Sequence, residues 1–568
     1  MNKTFFRITL SDLNRTIPGL LLLVVFLAGG CATVSNSPEQ LTLVPKWGRF
    51  ELNFRSSTSY GNPIQDTELR VVFTAPSGKS RLIYGFWDGD RTWKVRFAPN
   101  EVGKWHYSTS CFDSANEGLN NHSGTFLCTA ASGKTVFERH GPIRVARDQR
   151  HFEHEDGTPF FWLADTAWNG PLMSTRTDWN YYLSRRKLQR FTAVQWVTTQ
   201  WRAAPEGDRL GQLAFTGQDR IAVNPEFFQR LDEKLDAMNQ ADLLGMPVLL
   251  WAIGGGSKPQ VNPGYSLQED QAVRLARYMV ARWGSNAVAW FLAGDGDYRG
   301  VKAERWKRIG QAVFGDEPHA PVTMHPGGMH WIQREFTDAT WLDFLGYQSG
   351  HGDDARTLTW MNSGPPASGW NLDPIRPFIN LEPPYENHVA YQSKTPISAH
   401  TVRRAVYWSL LNSPTAGVSY GGHGVWGWDD GATPPTDHQN SGIPLPWKQA
   451  LEMPGATQMT HVSSFFKAID FWRLRPAPEV LAVQPGNEDP KRHIAAARSK
   501  EGDLLVVYVP EDHELSIVSR ALPKNFSASW YNPRTGQPEQ VSAVVNQRAT
   551  QFTTPSEGDW LLLVTGPR

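Results

Sequence analysis

The sequence carries no excess of charge of either sign: 56 Lys and Arg balance 56 Asp and Glu over 568 residues. Without a basic stripe there is no electrostatic footprint for nucleic acid, and none is expected as a partner. Membrane-length apolar runs are also missing. The apolar segment Ile17 to Leu27 is too short to span a bilayer. Cysteine is confined to Cys31, Cys111 and Cys128. Several catalytic signatures fail as well. His151-Phe-Glu-His154 lacks the His-Glu-x-x-His spacing of a zinc helix. Gly254-Gly-Gly256 does not open a strand–turn–helix nucleotide loop, and Asp295-Gly-Asp297 is too short for a calcium-binding EF-hand. No Gly-x-Ser-x-Gly elbow occurs. The chemistry sought is therefore one that works with carboxylates, and no metal or other cofactor is expected, a structural calcium alone being left open.

What is present begins with a targeting segment. Lys3, Arg7 and Arg15 precede Ile17–Leu27, as in a secretory signal peptide. The run ends in Leu27-Ala-Gly-Gly-Cys31, which resembles a bacterial lipobox; residues 1–30 would then be removed and Cys31 lipidated. Such an anchor holds a protein to a membrane without spanning it. Ala32 after the cysteine resembles outer-membrane sorting, with the periplasmic or cell-surface face left open. In an exported chain Cys111 and Cys128, each ending a strand-like run, could be joined by a disulfide across a hairpin; two buried free thiols are the alternative.

From 40 to 132, short alternating runs such as Phe50-Glu-Leu-Asn-Phe54 and Leu69-Arg-Val-Val-Phe-Thr74 predict a β-sandwich. From 135 to 475 the period changes to alternating apolar strands and amphipathic helices, as at Phe160–Asp165, Phe191–Trp196 and Met246–Trp251. Asn224-Pro225 supplies an N-cap with proline at the first helical position. Eight such alternations predict a TIM barrel, the fifth and sixth helices being inferred from closure of the fold. From 476 to 568 short strands return (Leu504–Val509, Phe526–Trp530, Trp560–Val564), predicting a second β-sandwich.

Two barrel strands end on a carboxylate. Val288-Ala-Trp-Phe-Leu-Ala-Gly-Asp295 and Arg376-Pro-Phe-Ile-Asn-Leu-Glu382 are apolar runs of the kind buried on both faces, and each stops at an acid. Carboxylates there sit at the mouth where barrel enzymes gather their catalytic groups. A pair of them is the minimum equipment for cleaving a glycosidic bond. Asp165 and Trp168, after strand one, are candidates for gripping sugar hydroxyls and flooring a subsite, while Gln195, His325, Gln348 and His423 are candidate hydroxyl contacts at the same mouth. Trp251 and Trp426, among 24 tryptophans, are candidate stacking platforms. Asp297 and Glu386 stand close to the leading acids as substitutes or hydroxyl contacts.

Pro159-Phe-Phe-Trp-Leu-Ala-Asp-Thr-Ala-Trp168, Trp290-Phe-Leu-Ala-Gly-Asp295, Asn380-Leu-Glu-Pro-Pro-Tyr-Glu386 and Gly421-Gly-His-Gly-Val-Trp426 resemble the apiosidase-like glycoside hydrolases, family 140 and its relatives. Gly85-Phe-Trp-Asp-Gly89 and Phe97-Ala-Pro-Asn-Glu-Val-Gly103 resemble the sandwich often fused ahead of such barrels, and Trp530 to Gly536 the one that follows them. The resemblance implies a retaining hydrolase with Asp295 as acid/base and Glu382 as nucleophile, acting on an oligo- or polysaccharide of plant or algal origin. One departure is Ala293-Gly294-Asp295 where Gly-Gly-Asp is commoner, with Asp297 two residues on as a rival acid. An endo-acting glycosidase and a catalytically inactive glycan-binding protein are the alternative functions.

Overall fold

The computed structural model describes residues 41–315, 317–511 and 514–567; Cys31 and the targeting segment lie outside them. At the centre are eight parallel strands: β1 (Trp162–Thr166), β2 (Ala193–Val197), β3 (Leu244–Trp251), β4 (Trp290–Gly296), β5 (Val322–Pro326), β6 (Leu345–Gln348), β7 (Phe378–Glu382) and β8 (Gly417–Tyr420). Their spatial order is β5-β4-β3-β2-β1-β8-β7-β6. The sheet curls until β5 and β6 lie side by side, closing the barrel except for one seam without a hydrogen-bonded ladder. Every residue of β3 is buried, because the barrel interior covers one face and helices cover the other.

The longer helices around it are α1 (Arg176–Leu188), α2 (Pro225–Gln240), α3 (Glu269–Trp283), α4 (Lys302–Val313), α5 (Ala355–Ser363), α6 (Ala399–Leu411) and α7 (Pro454–Lys467). Asn224 caps α2, its side chain accepting from the Phe227 amide, and Pro225 occupies the first position. The helix expected between β5 and β6 does not form; residues 327–343 run there as bends and turns. The segment around Gly327-Gly328 offers no continuous apolar face, and β6 is reached without a crossover helix.

Ahead of the barrel, the eight strands between Leu43 and Thr129 make a five-stranded and a three-stranded sheet, and three short strands between Ile143 and Phe160 make a third. In Leu69–Thr74, Leu69, Val71 and Phe73 point into the core while Arg70 and Val72 face outward, the alternation that a one-sided sheet requires. Here the disulfide expectation fails. Cys111 and Cys128 are both buried free thiols. Residues 103–111 and 123–129 pair antiparallel with Gly103 opposite Cys128, so the two strand ends lie at opposite ends of the hairpin. After the barrel, a six-stranded and a three-stranded sheet follow.

The described chain from Thr42 onward is one compact unit. Buried ion pairs join its parts. Arg282 of α3 bonds Asp232 of α2 (2.7 Å) and Asp88 of the first sheets (2.7 Å), and Arg96 bonds Asp232 (2.9 Å). At the other end Arg403 of α6 pairs with Asp559 of the last sheets at 2.6 Å.

Candidate active site

The mouth is built where β4 and β7 end. Asp295 has φ of +47°, a left-handed conformation unusual for a residue other than glycine. The ladder between β4 and β5 slips on both sides of Gly294. Strand four therefore breaks its pleat at the acid and turns the side chain toward the barrel axis, a local strain of the kind that collects at functional sites. Gly294 has to be glycine, because a Cβ there would lie 2.5 Å from the Trp251 ring.

Glu382 ends β7 with its side chain 13 % exposed. The Tyr385 amide donates to His351 Nδ1 (3.2 Å), which leaves the neutral ring's proton on Nε2, and this nitrogen lies 3.0 Å from Glu382 Oε1. His325 Nε2 stands 3.4 Å from Oε2, and the Tyr385 hydroxyl, which accepts from the Trp168 indole, lies near the same carboxylate. Burial alone would raise the Glu382 pKa, but the imidazoles of His325 and His351 facing the carboxylate outweigh it and hold it well below the usual range. Asp295 is treated differently. Its Oδ1 accepts from Gln348 Nε2 at 3.0 Å, an uncharged amide. Burial first, then the negative charge of Glu382, push Asp295 above the ordinary aspartate range. Gln348 pairs with Glu382 in the ladder while bonding Asp295, so one side chain ties the two acids together. The pair thus consists of one carboxylate whose pKa is held down and one whose pKa is pushed up.

The remaining predicted residues divide. His325 and Gln348 face the acid pair, as described. Asp297 is drawn off to Arg299 (2.8 Å) and Lys302 (2.9 Å), which hold its pKa far down, so it is unsuited to donate a proton. Asp165 does not reach the mouth. It is fully buried on the outer face of β1, bonded to Arg186 (2.7 Å) and Tyr182 (2.6 Å) of α1, while its neighbour Thr166 points inward. Gln195 is a plug in the barrel interior, its amide donating to Thr166 and to the Leu381 carbonyl beneath Glu382. Glu386 is likewise no hydroxyl contact: it accepts from Tyr420 (2.7 Å) and from the Gly455 amide (3.0 Å), holding the first turn of α7.

His423 is fully buried behind the site, bonded to Ser441 Oγ (3.1 Å), and its ring lies 5.4 Å from His388, which stacks at 4.2 Å on His351. Burial lowers its pKa to about 4, so it backs the site as a neutral ring. The tryptophans form walls instead of platforms. Trp168 donates to the Tyr385 hydroxyl and packs on His325; Trp251 is sandwiched by Trp168 and Trp201; Trp426 lies against His438. All three are at most 3 % exposed, leaving no face for a sugar ring.

Sequence reasoning missed His351, although it follows β6 by only three residues, and Tyr385, which lies inside the quoted Asn380–Glu386 motif. It also missed Arg202 and Asp437, which tie the loops after β2, β3 and β8 across the mouth. Arg202 bonds the Asp437 carbonyl (2.8 Å), and the Asp437 carboxylate takes the Ser257 amide (2.9 Å). Tyr391, half exposed beside His351 and His388, is the open aromatic of this region.

The model of the apiosidase-like catalytic domain family matches residues 146–473, which contain both acids and every barrel strand. Residues 43–112 match a domain of unknown function, DUF5060, and residues 476–565 match a domain described as collagen-binding, from a collagenase. No curated protein matches the sequence. Among solved structures, one from Bacteroides vulgatus described as a family 5 glycoside hydrolase is 23% identical, with 76% of this chain and 95% of that one covered at a TM-score of 0.66. A second from Bacteroides vulgatus, also described as a glycoside hydrolase, is 18% identical, with 92% and 99% covered at 0.68. A third, named only as a glycoside hydrolase, is 22% identical over 76% and 98% at 0.65. At these identities the structures speak for the shared fold, whereas the family model covers more than half the chain. With a barrel whose mouth brings two strand-end acids together, the chain belongs to the apiosidase-like family of glycoside hydrolases.

Proposed function

We propose that this enzyme hydrolyses side-chain glycosidic bonds of a plant or algal polysaccharide and retains the anomeric configuration. The observation that carries the acid and nucleophile roles is the unequal treatment of the two acids: Glu382 is bonded by His351 and faced by His325, whereas Asp295 meets a neutral amide; retention follows from the family resemblance. Glu382 attacks the anomeric carbon as the C–O bond to the leaving sugar breaks, and Asp295 gives its proton to the departing oxygen. The product of this step is a glycosyl ester on Glu382. Because the Glu382 charge is one cause of the raised Asp295 pKa, esterification removes that cause and lets Asp295 accept a proton. It then takes one from water, whose oxygen attacks the anomeric carbon and frees Glu382. Two inversions leave the configuration unchanged. Proton NMR of a fresh digest, read before mutarotation, tests this: the first product should keep the substrate's anomeric form, and an inverted product would overturn the assignment.

We also propose that Cys31 carries lipid and anchors the enzyme in the outer membrane. Among the described residues no helix is long and apolar enough to cross a membrane. Cys31→Ser is expected to move the protein from the membrane to the soluble fraction on fractionation, and persistence in the membrane would refute the anchor.

A further inference from the structure

Outside the acid pair's mouth, a cleft of about 710 Å³ lies between the first sheets and the barrel helices α3 and α4. Pockets of this size, at a boundary between two parts of a protein, are common places for ligands. Its walls are fixed. The Tyr278 hydroxyl donates to the Trp87 carbonyl (2.9 Å), Arg274 to the Ile64 carbonyl (3.2 Å) and Arg277 to the Ala312 carbonyl (2.7 Å). The buried Asp88–Arg282–Asp232 pairing stands at the same boundary. A ligand entering the cleft would meet a preformed surface and lose little free energy in ordering it.

The lining chemistry narrows what that ligand is. Glu68, Glu269 and Asp270 alternate with Arg274 and Arg277, so a polyanion would meet carboxylates and a polycation would meet guanidinium groups. Tyr84 and Trp87 add aromatic surface, with the Trp87 indole held by the Asp90 carbonyl at 2.8 Å. Glu68 Oε2 and Arg277 Nη1 stand 3.9 Å apart, too far for a hydrogen bond. A hydroxyl placed between them would accept from the guanidinium and donate to the carboxylate. Interleaved donors and acceptors beside aromatic rings suit a neutral molecule with many hydroxyls and apolar C–H faces. We infer that this cleft is a second glycan-binding site, taking a short run of neutral sugar residues. Helix α3 follows β3 and runs back antiparallel to it, so Glu269 and Asp270 begin the cleft at the mouth end of the barrel. A polymer held along this flank would keep its side chains near the acid pair. The inference rests on the family's glycan chemistry and not on the roles given to Asp295 and Glu382.

The test uses the full chain carrying Glu382→Gln, run in native gels cast with arabinan, arabinogalactan, xyloglucan or laminarin. At least one polymer should retard it. Adding Asp270→Asn with Arg274→Ala should weaken that retardation about tenfold, with an unchanged melting temperature. In the active chain the same double change should leave kcat/KM on a small aryl glycoside unaltered. Equal retardation with and without the double change would overturn the site, and so would retardation by none of the four polymers. Binding lost through the cleft in a chain that hydrolyses no glycan would uphold this site while sinking the proposed reaction.

Discussion

At the boundary between the first sheets and the barrel, Asp232 accepts from Arg282, Arg96 and the Trp283 indole, all within 2.9 Å. Asp88 next to it meets Arg282 and Lys94. At the mouth, Glu382 and Asp295 are also largely buried, but among the described residues no guanidinium or ammonium bonds either of them; their neighbours are His351, His325, Tyr385 and Gln348. The two regions contain the same functional group in similar seclusion. Where permanent cations bond the acids, their charge is neutralised and the group serves only to join parts of the fold. Where the neighbours are imidazoles, a phenol and an amide, the two carboxylates are left without a neutralising cation and their pKa values are pushed apart.

The sharpest way to break this contrast is to exchange its two readouts. Glu382→Ala should lose turnover on the order of 10⁴-fold or more while its melting temperature stays the same or rises, because the removed acid does chemical and not structural work. Normal turnover in this variant would erase the distinction. Asp232→Ala should do the reverse. It takes from the buried Arg282 and Arg96 the carboxylate they share, leaving Arg282 to Asp88 and Arg96 to Glu51, and denaturant unfolding should show a loss of about 3 kcal/mol with kcat preserved in the folded fraction. Asp295→Ala should lower kcat by about 10²–10⁴-fold on a substrate with a poor leaving group, and much less on one whose leaving group departs without a proton. Equal losses on both substrates would remove Asp295 from the acid role, and a dead Asp297→Ala would pass the role there.

The smallest effect concerns His351. The proposed reaction requires Asp295 protonated and Glu382 ionised. It should therefore fall on the alkaline side as pH rises through the raised Asp295 pKa, and on the acid side only at strongly low pH, because the Glu382 pKa is depressed. His351→Ala removes one donor from Glu382, which should move the acid limb upward and lower kcat on the order of 10–100-fold. A pH–rate profile measures both. An unmoved acid limb would mean that His325 and Tyr385 hold the carboxylate without it.

Much of this molecule was legible in the residues. The β-rich, alternating and again β-rich stretches follow from the side-chain period, and the strands ending in Asp295 and Glu382 fall within about two residues of their expected bounds. The segment after β5 resisted, because closure of the barrel did not require a helix there. The cysteines misled because both ends of a hairpin's strands look alike in sequence, whereas antiparallel register sends them apart.

By itself the sequence determined the barrel, its flanking sheets, and which two apolar strands end in an acid. Only the tertiary structure decided which polar residues face the barrel axis. Asp165 and Thr166 are neighbours on one buried strand, yet one bonds Arg186 outside and the other bonds Gln195 inside. A parallel strand is covered on both faces, so hydrophobicity does not mark the inner one. The same holds for His351, Tyr385 and Glu386, which lie on loops whose paths are set by distant contacts. Whether a carboxylate joins the fold or does chemistry depends on which partners those contacts bring to it, and that information is spread over the whole chain.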